Sequence, residues 1–146
     1  MRDLTRKLQV LTLRKKGYSY SEIGKILGVT KQNVHSIEKR ARKQFDECKF
    51  AYELLHWAFA KDCLIVKKGE DLREAIKKVL ELGDKLNVKI VGTLDEILGF
   101  IKVRLGDIKD NEFAICIMED GKIEVIGPQT LEHLRQLNLI DSIGKA

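Results

Sequence analysis

Lys31, Gln32, Asn33, His35 and Ser36 fall within six positions, with Thr30 before them and Lys39, Arg40, Arg42 and Lys43 after. Each amide side chain carries a donor and an acceptor on one plane, which matches the N6/N7 edge of adenine. A lysine can donate to guanine or neutralise a phosphate, and the basic run that follows can neutralise phosphates without reading sequence. The expected base contacts are therefore Lys31, Gln32, Asn33, His35 and Ser36. The expected phosphate contacts are Arg14, Lys15, Lys16, Ser19, Lys25, Thr30, Lys39, Arg40, Arg42 and Lys43. Other chemistry finds little support. His35, His56 and His133 lack metal-ligand spacing, and Cys48, Cys63 and Cys116 form no CxxC pair. The glycines Gly69, Gly83, Gly92 and Gly99 make no phosphate loop or dinucleotide fingerprint. The carboxylates are plentiful but unpaired in pattern, so no catalytic residues, cofactor or metal are expected.

The charge is unevenly spread. Residues 1–50 hold 13 of the 27 Lys and Arg but 5 of the 22 Asp and Glu, giving +8. The remainder holds 14 basic and 17 acidic residues, giving −3. A basic module that binds a polyanion, followed by a body with another task, produces such a distribution. The N-terminus has no apolar signal segment, and no apolar run approaches a membrane span. The chain is expected in the cytoplasm, with its cysteines as small apolar core residues.

Three helices must position the amide-rich segment. Leu4, Leu8 and Leu11 recur at helical spacing, so residues 4–16 form a helix that Gly17 ends. Ser19 stands three residues before Glu22, the capping-box spacing. Ile23, Ile26 and Leu27 supply the apolar side of a short second helix, closed by Gly28. Thr30 is placed to cap a third. With Tyr20 as the first position of a twenty-residue motif, Ile23, Leu27, Val29, Val34 and Ile37 fill positions 4, 8, 10, 15 and 18. Gly24 falls where two crossing helices come closest, and Gly28 where the chain turns. This is the pattern of a helix-turn-helix, whose second helix enters the major groove of DNA.

The third helix has no glycine or proline to stop it before Gly69. Val34, Ile37, Ala41, Phe45, Cys48, Tyr52, Leu55 and Phe59 recur every three or four residues. One long helix and two helices broken near Lys43–Lys49 both fit this spacing. The stripe could pair two copies of the chain or pack on the chain's own second domain. Beyond residue 61 the pattern changes. Strands are expected at Cys63–Val66 and Val88–Val91, and helices at 70–82, 94–105 (capped by Thr93 with Glu96) and 128–139 (opened by Pro128). Glu112–Met118 and Lys122–Ile126 flank Glu119-Asp120-Gly121, a hairpin signal. The expected fold is an N-terminal all-α helix-turn-helix domain over residues 1–60, followed by a small α/β (α+β) domain over 61–146.

The block from Gly17 to Glu47, GYSYSEIGKILGVTKQNVHSIEKRARKQFDE, resembles the Tfx family of archaeal DNA-binding transcriptional regulators. The likeness lies in Glu22-Ile23-Gly24, Leu27-Gly28-Val29-Thr30, Asn33-Val34-His35 and the Ile37-Glu38-x-x-Ala41 segment. It continues more weakly through Asp71-Leu72, Asp84–Lys89 and Glu119-Asp120-Gly121. The entry Leu4-Thr5 lies one residue closer to Val10-Leu11 than is usual. Gly24 replaces the family's usual alanine, and His35 replaces a serine. The resemblance implies a recognition surface on Thr30, Lys31, Gln32, Asn33, Ser36 and Lys39.

The expected partner is double-stranded DNA, read by a homodimer on two half-sites. RNA is the alternative polyanion, but its A-form major groove is too deep and narrow for helix readout. The second domain is a candidate sensor or dimerisation module. An unidentified effector could bind it, for instance an anion near Lys67, Lys68 and Gly69 where a helix begins.

Overall fold

The computed structural model describes residues 2–107 and 111–140, and the chain divides into two compact units, Met1–Lys49 and Phe50–Ala146. Three helices belong wholly or partly to the first: α1 (Arg2–Lys15), α2 (Tyr20–Leu27) and α3 (Lys31–Phe59). Its core is Val10, Ile23, Val34 and Ile37, with Leu13, Tyr20, Leu27 and Val29 packed around them. Local chemistry sets each boundary. The Ser19 hydroxyl accepts from the Glu22 N–H at 3.1 Å, while the Glu22 carboxylate accepts from the Ser19 N–H at 3.1 Å. Gly28 ends α2 in the left-handed region at φ 72°, a conformation that costs glycine little. The Thr30 hydroxyl then caps α3 by accepting from the Asn33 N–H at 3.0 Å.

Gly24 shows why the α2–α3 turn can be so tight. A Cβ built there would lie 2.6 Å from the Val29 carbonyl oxygen. The obstruction is backbone, so no rotamer change relieves it. The glycine standing where the resemblance leads one to expect alanine is thus required by this geometry.

Of the two readings of the long apolar pattern, the uninterrupted helix is observed. Its stripe is divided in use. Val34, Ile37 and Ala41 are buried in the first unit, and Leu54 and Trp57 pack on a core cluster of the second. Phe45, Tyr52, Leu55 and Phe59 remain exposed.

The second unit holds the end of α3, then β1 (Asp62–Val66), α4 (Leu72–Lys85), α5 (Leu94–Leu105), β2 (Phe113–Ile117), β3 (Ile123–Ile126) and α6 (Pro128–Gln136). The strands form an antiparallel sheet in the order β1-β2-β3, with Cys63 opposite Cys116 and Ile115 opposite Val125. Every residue of β2 is buried, because both faces of the sheet are covered. Phe113, Ile115 and Ile117 face a core shared with Ala75, Ile76 and Val79 of α4 and Ile97 and Ile101 of α5. Ala114 and Cys116 face Leu131 and Leu134 of α6 and the end of α3. The all-α N-terminal region followed by a mixed α/β region matches the fold class expected from sequence.

Three local expectations are corrected. Val88–Val91 is not a strand. Asn87 turns the chain at φ 57°, after which the Val88 N–H donates back to the Gly83 carbonyl and the Val91 N–H donates to that of Gly121. Bonds to two different elements build no ladder. The Lys89 carbonyl also lies 2.0 Å from where a Cβ on Gly121 would sit, so the hairpin glycine makes room for this segment. Helix α6 ends at Gln136 rather than 139, since Asn138 adopts a left-handed conformation at φ 58°. Helix α4 begins at Leu72 because the Asp71 side chain caps the Arg73 and Glu74 N–H groups.

Candidate nucleic-acid interface

At the start of α3, the helical period turns Val34, Ile37 and Glu38 inward and leaves Lys31, Gln32, Asn33, His35, Ser36, Lys39 and Arg40 exposed. Thr30, Gln32, Asn33, Ser36, Lys39 and Arg40 line one shallow concavity of about 570 Å³. The first turn, Lys31-Gln32-Asn33-Val34, carries no carboxylate, so nothing on it offsets the positive end of the helix dipole. Lys31 lies in the same turn, outside the concavity. His35 is held by an edge-on contact with the Tyr20 ring, 5.2 Å between centroids.

The other expected phosphate contacts divide into groups. Lys15, Lys16 and Lys25 are exposed near the ends of α1 and α2. Ser19 and Thr30 spend their hydroxyls on helix caps, though each hydroxyl retains a proton to donate. Lys43 stands 4.0 Å from the Glu47 carboxylate in a solvent-exposed pair. Arg14 and Arg42 meet at Glu38, to which the sequence pattern assigns no role. Glu38 is buried, and its carboxylate accepts from Arg14 Nε at 3.2 Å and from Arg42 Nη2 at 3.1 Å. Arg14 also lies over the Tyr20 ring, 4.2 Å from its centroid, and donates to the Tyr18 carbonyl. Burial works to raise the Glu38 carboxyl. The hydrogen bonds from Arg42 and Tyr20 and the charges of Arg14 and Arg42 outweigh that and hold it below the ordinary carboxylate value. The signal that could have found it is the Ile37-Glu38-x-x-Ala41 segment, where a carboxylate sits between two buried positions amid basic residues.

In the second unit, the region near Lys67, Gly69 and Glu70 opens on a groove of about 820 Å³. It mixes Lys67, Arg73 and Lys102 with Glu70, Asp71 and Asp107, and the start of α4 is already capped by Asp71. Its lining thus pairs three cations with three carboxylates. Among the described residues, no group of three or more His, Cys, Asp or Glu could hold a metal ion. No helix among them is long and apolar enough to cross a membrane.

A capped short helix, a left-handed glycine turn and a second helix presenting exposed amides and cations define a helix-turn-helix protein, here with an α/β body. Residues 5–45 match the family model for sigma-70 region 4, and residues 52–125 match that for the C-terminal part of the DNA-binding protein TFX. A protein of Pyrococcus abyssi named for transcriptional regulation is 33% identical over 81% of this chain and 83% of its own length. Another so named, from Pyrococcus furiosus, is 29% identical over 88% of this chain and 93% of its own. The DNA-binding protein Tfx of Methanothermobacter marburgensis is 24% identical over 82% and 91%. The chain belongs to the Tfx family. These relatives are named as regulatory or DNA-binding proteins, not as enzymes.

Proposed function

We propose that the protein is a sequence-specific regulator of transcription that binds double-stranded DNA, with the helix after Thr30 reading the major groove. The observation that carries this reading is the exposed face of Lys31, Gln32, Asn33, His35 and Ser36 at the start of α3, in the position from which helix-turn-helix proteins reach base edges. The two amides read adenine, Lys31 reaches guanine or phosphate, and His35 and Ser36 add polar contacts. Lys15, Lys16, Lys25, Lys39, Arg40 and Lys43 dock the phosphate backbone, with Ser19 and Thr30 donating from their hydroxyls. Arg14 and Arg42 contribute while remaining anchored to Glu38.

Residues 1–60 act as the DNA-binding part and residues 61–146 as the responsive or assembling part. One such module seldom supplies enough specificity alone, so two copies read two half-sites about 34–36 Å apart. The action is cytoplasmic, where a prokaryotic chromosome lies, and a small effector acts on the second unit.

Selection of bound sites from random duplex DNA, with purified full-length protein at low salt, tests the reading. Enrichment of a repeated half-site is the expected result. Failure of a folded protein to enrich any sequence, or a preference for RNA in competition, overturns it. Sedimentation with and without the selected duplex tests the pairing of copies, and a single copy on the full site sinks it.

A further inference from the structure

We propose that the groove between the end of α3 and the β2–β3 hairpin binds a small organic ammonium ion carrying an apolar body. The proposal gives the effector of the second unit a site and a chemical class, and it rests on the regulatory reading only for its consequence on DNA. The groove measures about 590 Å³. Tyr52, Leu55 and Phe59 of α3 and Met118 of the hairpin give it apolar walls. Its polar lining is made largely of acceptors, the carboxylates of Glu119, Asp120 and Glu124. The one lining cation, Lys122, has its Nζ 3.8 Å from Asp120 and so attends to a carboxylate already.

The decisive group is His56, which also lines the groove and is only 6% exposed. Its Nδ1 lies 3.4 Å from the Val125 carbonyl oxygen. A carbonyl can only accept, so Nδ1 carries a hydrogen, and in the neutral tautomer that this sets Nε2 presents a lone pair. That Nε2 is buried and has no hydrogen-bond partner. The nearest carboxylate oxygen, on Glu124, stands 3.8 Å away and is itself an acceptor. In that tautomer two acceptors face each other without a donor and lack a group that donates to both. A primary ammonium has three N–H donors, enough to serve both once a small shift of the imidazole opens Nε2 to the groove.

The walls fit the same guest. The Tyr52 ring meets the imidazole edge-on at 4.4 Å, and Tyr52 and Phe59 are otherwise largely open to solvent. Aromatic faces attract cations, and the apolar walls cover a hydrocarbon body. An anion would meet three carboxylates, and a neutral apolar guest would leave Nε2 without a donor. A bare metal ion finds no set of three ligands here among the described residues.

The test uses the full chain and three probes: phenethylammonium, butylammonium and agmatine chlorides. Phenylacetate and phenethyl alcohol, at matched ionic strength, serve as controls. The Met118 methyl and His56 ring signals are followed by NMR. At least one amine should shift both signals saturably, at least tenfold more tightly than phenethyl alcohol, and phenylacetate should shift neither. Glu124→Gln and Phe59→Ala should each weaken the amine at least fivefold while the melting temperature shows a folded protein. The proposal is overturned if none of the amines gives a saturable shift, or if both variants bind as well as the parent chain. It is also overturned if the Met118 signal moves with protein concentration alone, since a second copy would then occupy the groove. No DNA enters this measurement, so its failure is distinct from failure of the DNA-binding reading. Adding the bound amine to the selected duplex complex reads the regulatory consequence separately.

Discussion

The Arg14 guanidinium lies 3.2 Å from a Glu38 carboxylate oxygen, joining the end of α1 to the buried side of α3 across 24 positions of sequence. Arg42 holds the other oxygen. Because the folded carboxyl titrates below its ordinary value of 4.5, this stabilisation is complete above that value and is lost as pH falls through the folded pKa. Glu38→Gln should lower stability at pH 7 by about 1–2 kcal/mol and flatten the acid limb of the melting-temperature profile. Calorimetry from pH 3 to pH 7 checks both. A variant with an unchanged acid limb would show that Glu38 is not the group responsible.

Gly24→Ala sets two effects against each other. Alanine is favoured over glycine inside a helix by nearly 1 kcal/mol. The added Cβ would lie 2.6 Å from the Val29 carbonyl, and overpacking against backbone costs about 1–3 kcal/mol. The clash should win, leaving the variant up to about 2 kcal/mol less stable than the parent. Denaturant titration measures the sign, and a stabilised variant would mean that the turn widens freely.

On a selected site, Gln32→Ala or Asn33→Ala should cost about 1–3 kcal/mol and relax preference at one base pair. Lys39→Ala should weaken all sequences alike and reduce the salt slope of log affinity by about 1. Anisotropy titrations at several salt concentrations separate the two behaviours. Equal loss on every sequence for Gln32→Ala would remove it from base reading.

The three thiols should react in order of access. Cys48 is exposed, whereas Cys63 and Cys116 are buried opposite each other on β1 and β2. The hydrogen bond with the Cys63 thiol and then burial push Cys116 up, well away from the thiolate form that reacts. Iodoacetamide at pH 8 should modify Cys48 alone in the native protein and all three in denaturant. Mass spectrometry gives the count, and fast native labelling of Cys116 would contradict the buried pairing.

What could be read in advance follows the distance over which each feature is decided. Ser19 with Glu22, Thr93 with Glu96, Gly28 and the Asp120-Gly121 turn act within a few residues, and each does in the fold what its spacing implies. Val88–Val91 has the composition of a strand, but its hydrogen bonds go to Gly83 and Gly121, which no local pattern reveals. Glu38 has no local pattern that shows its burial, since its partner on α1 lies far off in sequence. His56 offered no ligand spacing. What sets it apart is an unpartnered nitrogen, fixed by Val125 and Glu124 on a strand 69 positions away.

The antiparallel pairing of β1 with β2 also sets an order of events. Their partners, from Val66 with Phe113 to Asp62 with Ile117, stand roughly fifty residues apart. The first unit closes its core by Ile37, through contacts between neighbouring helices. On a ribosome the first unit can therefore fold while the second is still being made. The apolar β1 must wait, unpaired, until residue 117 emerges. Lys67 and Lys68, directly after that strand, are charges of the kind that keep a waiting strand from joining its neighbours.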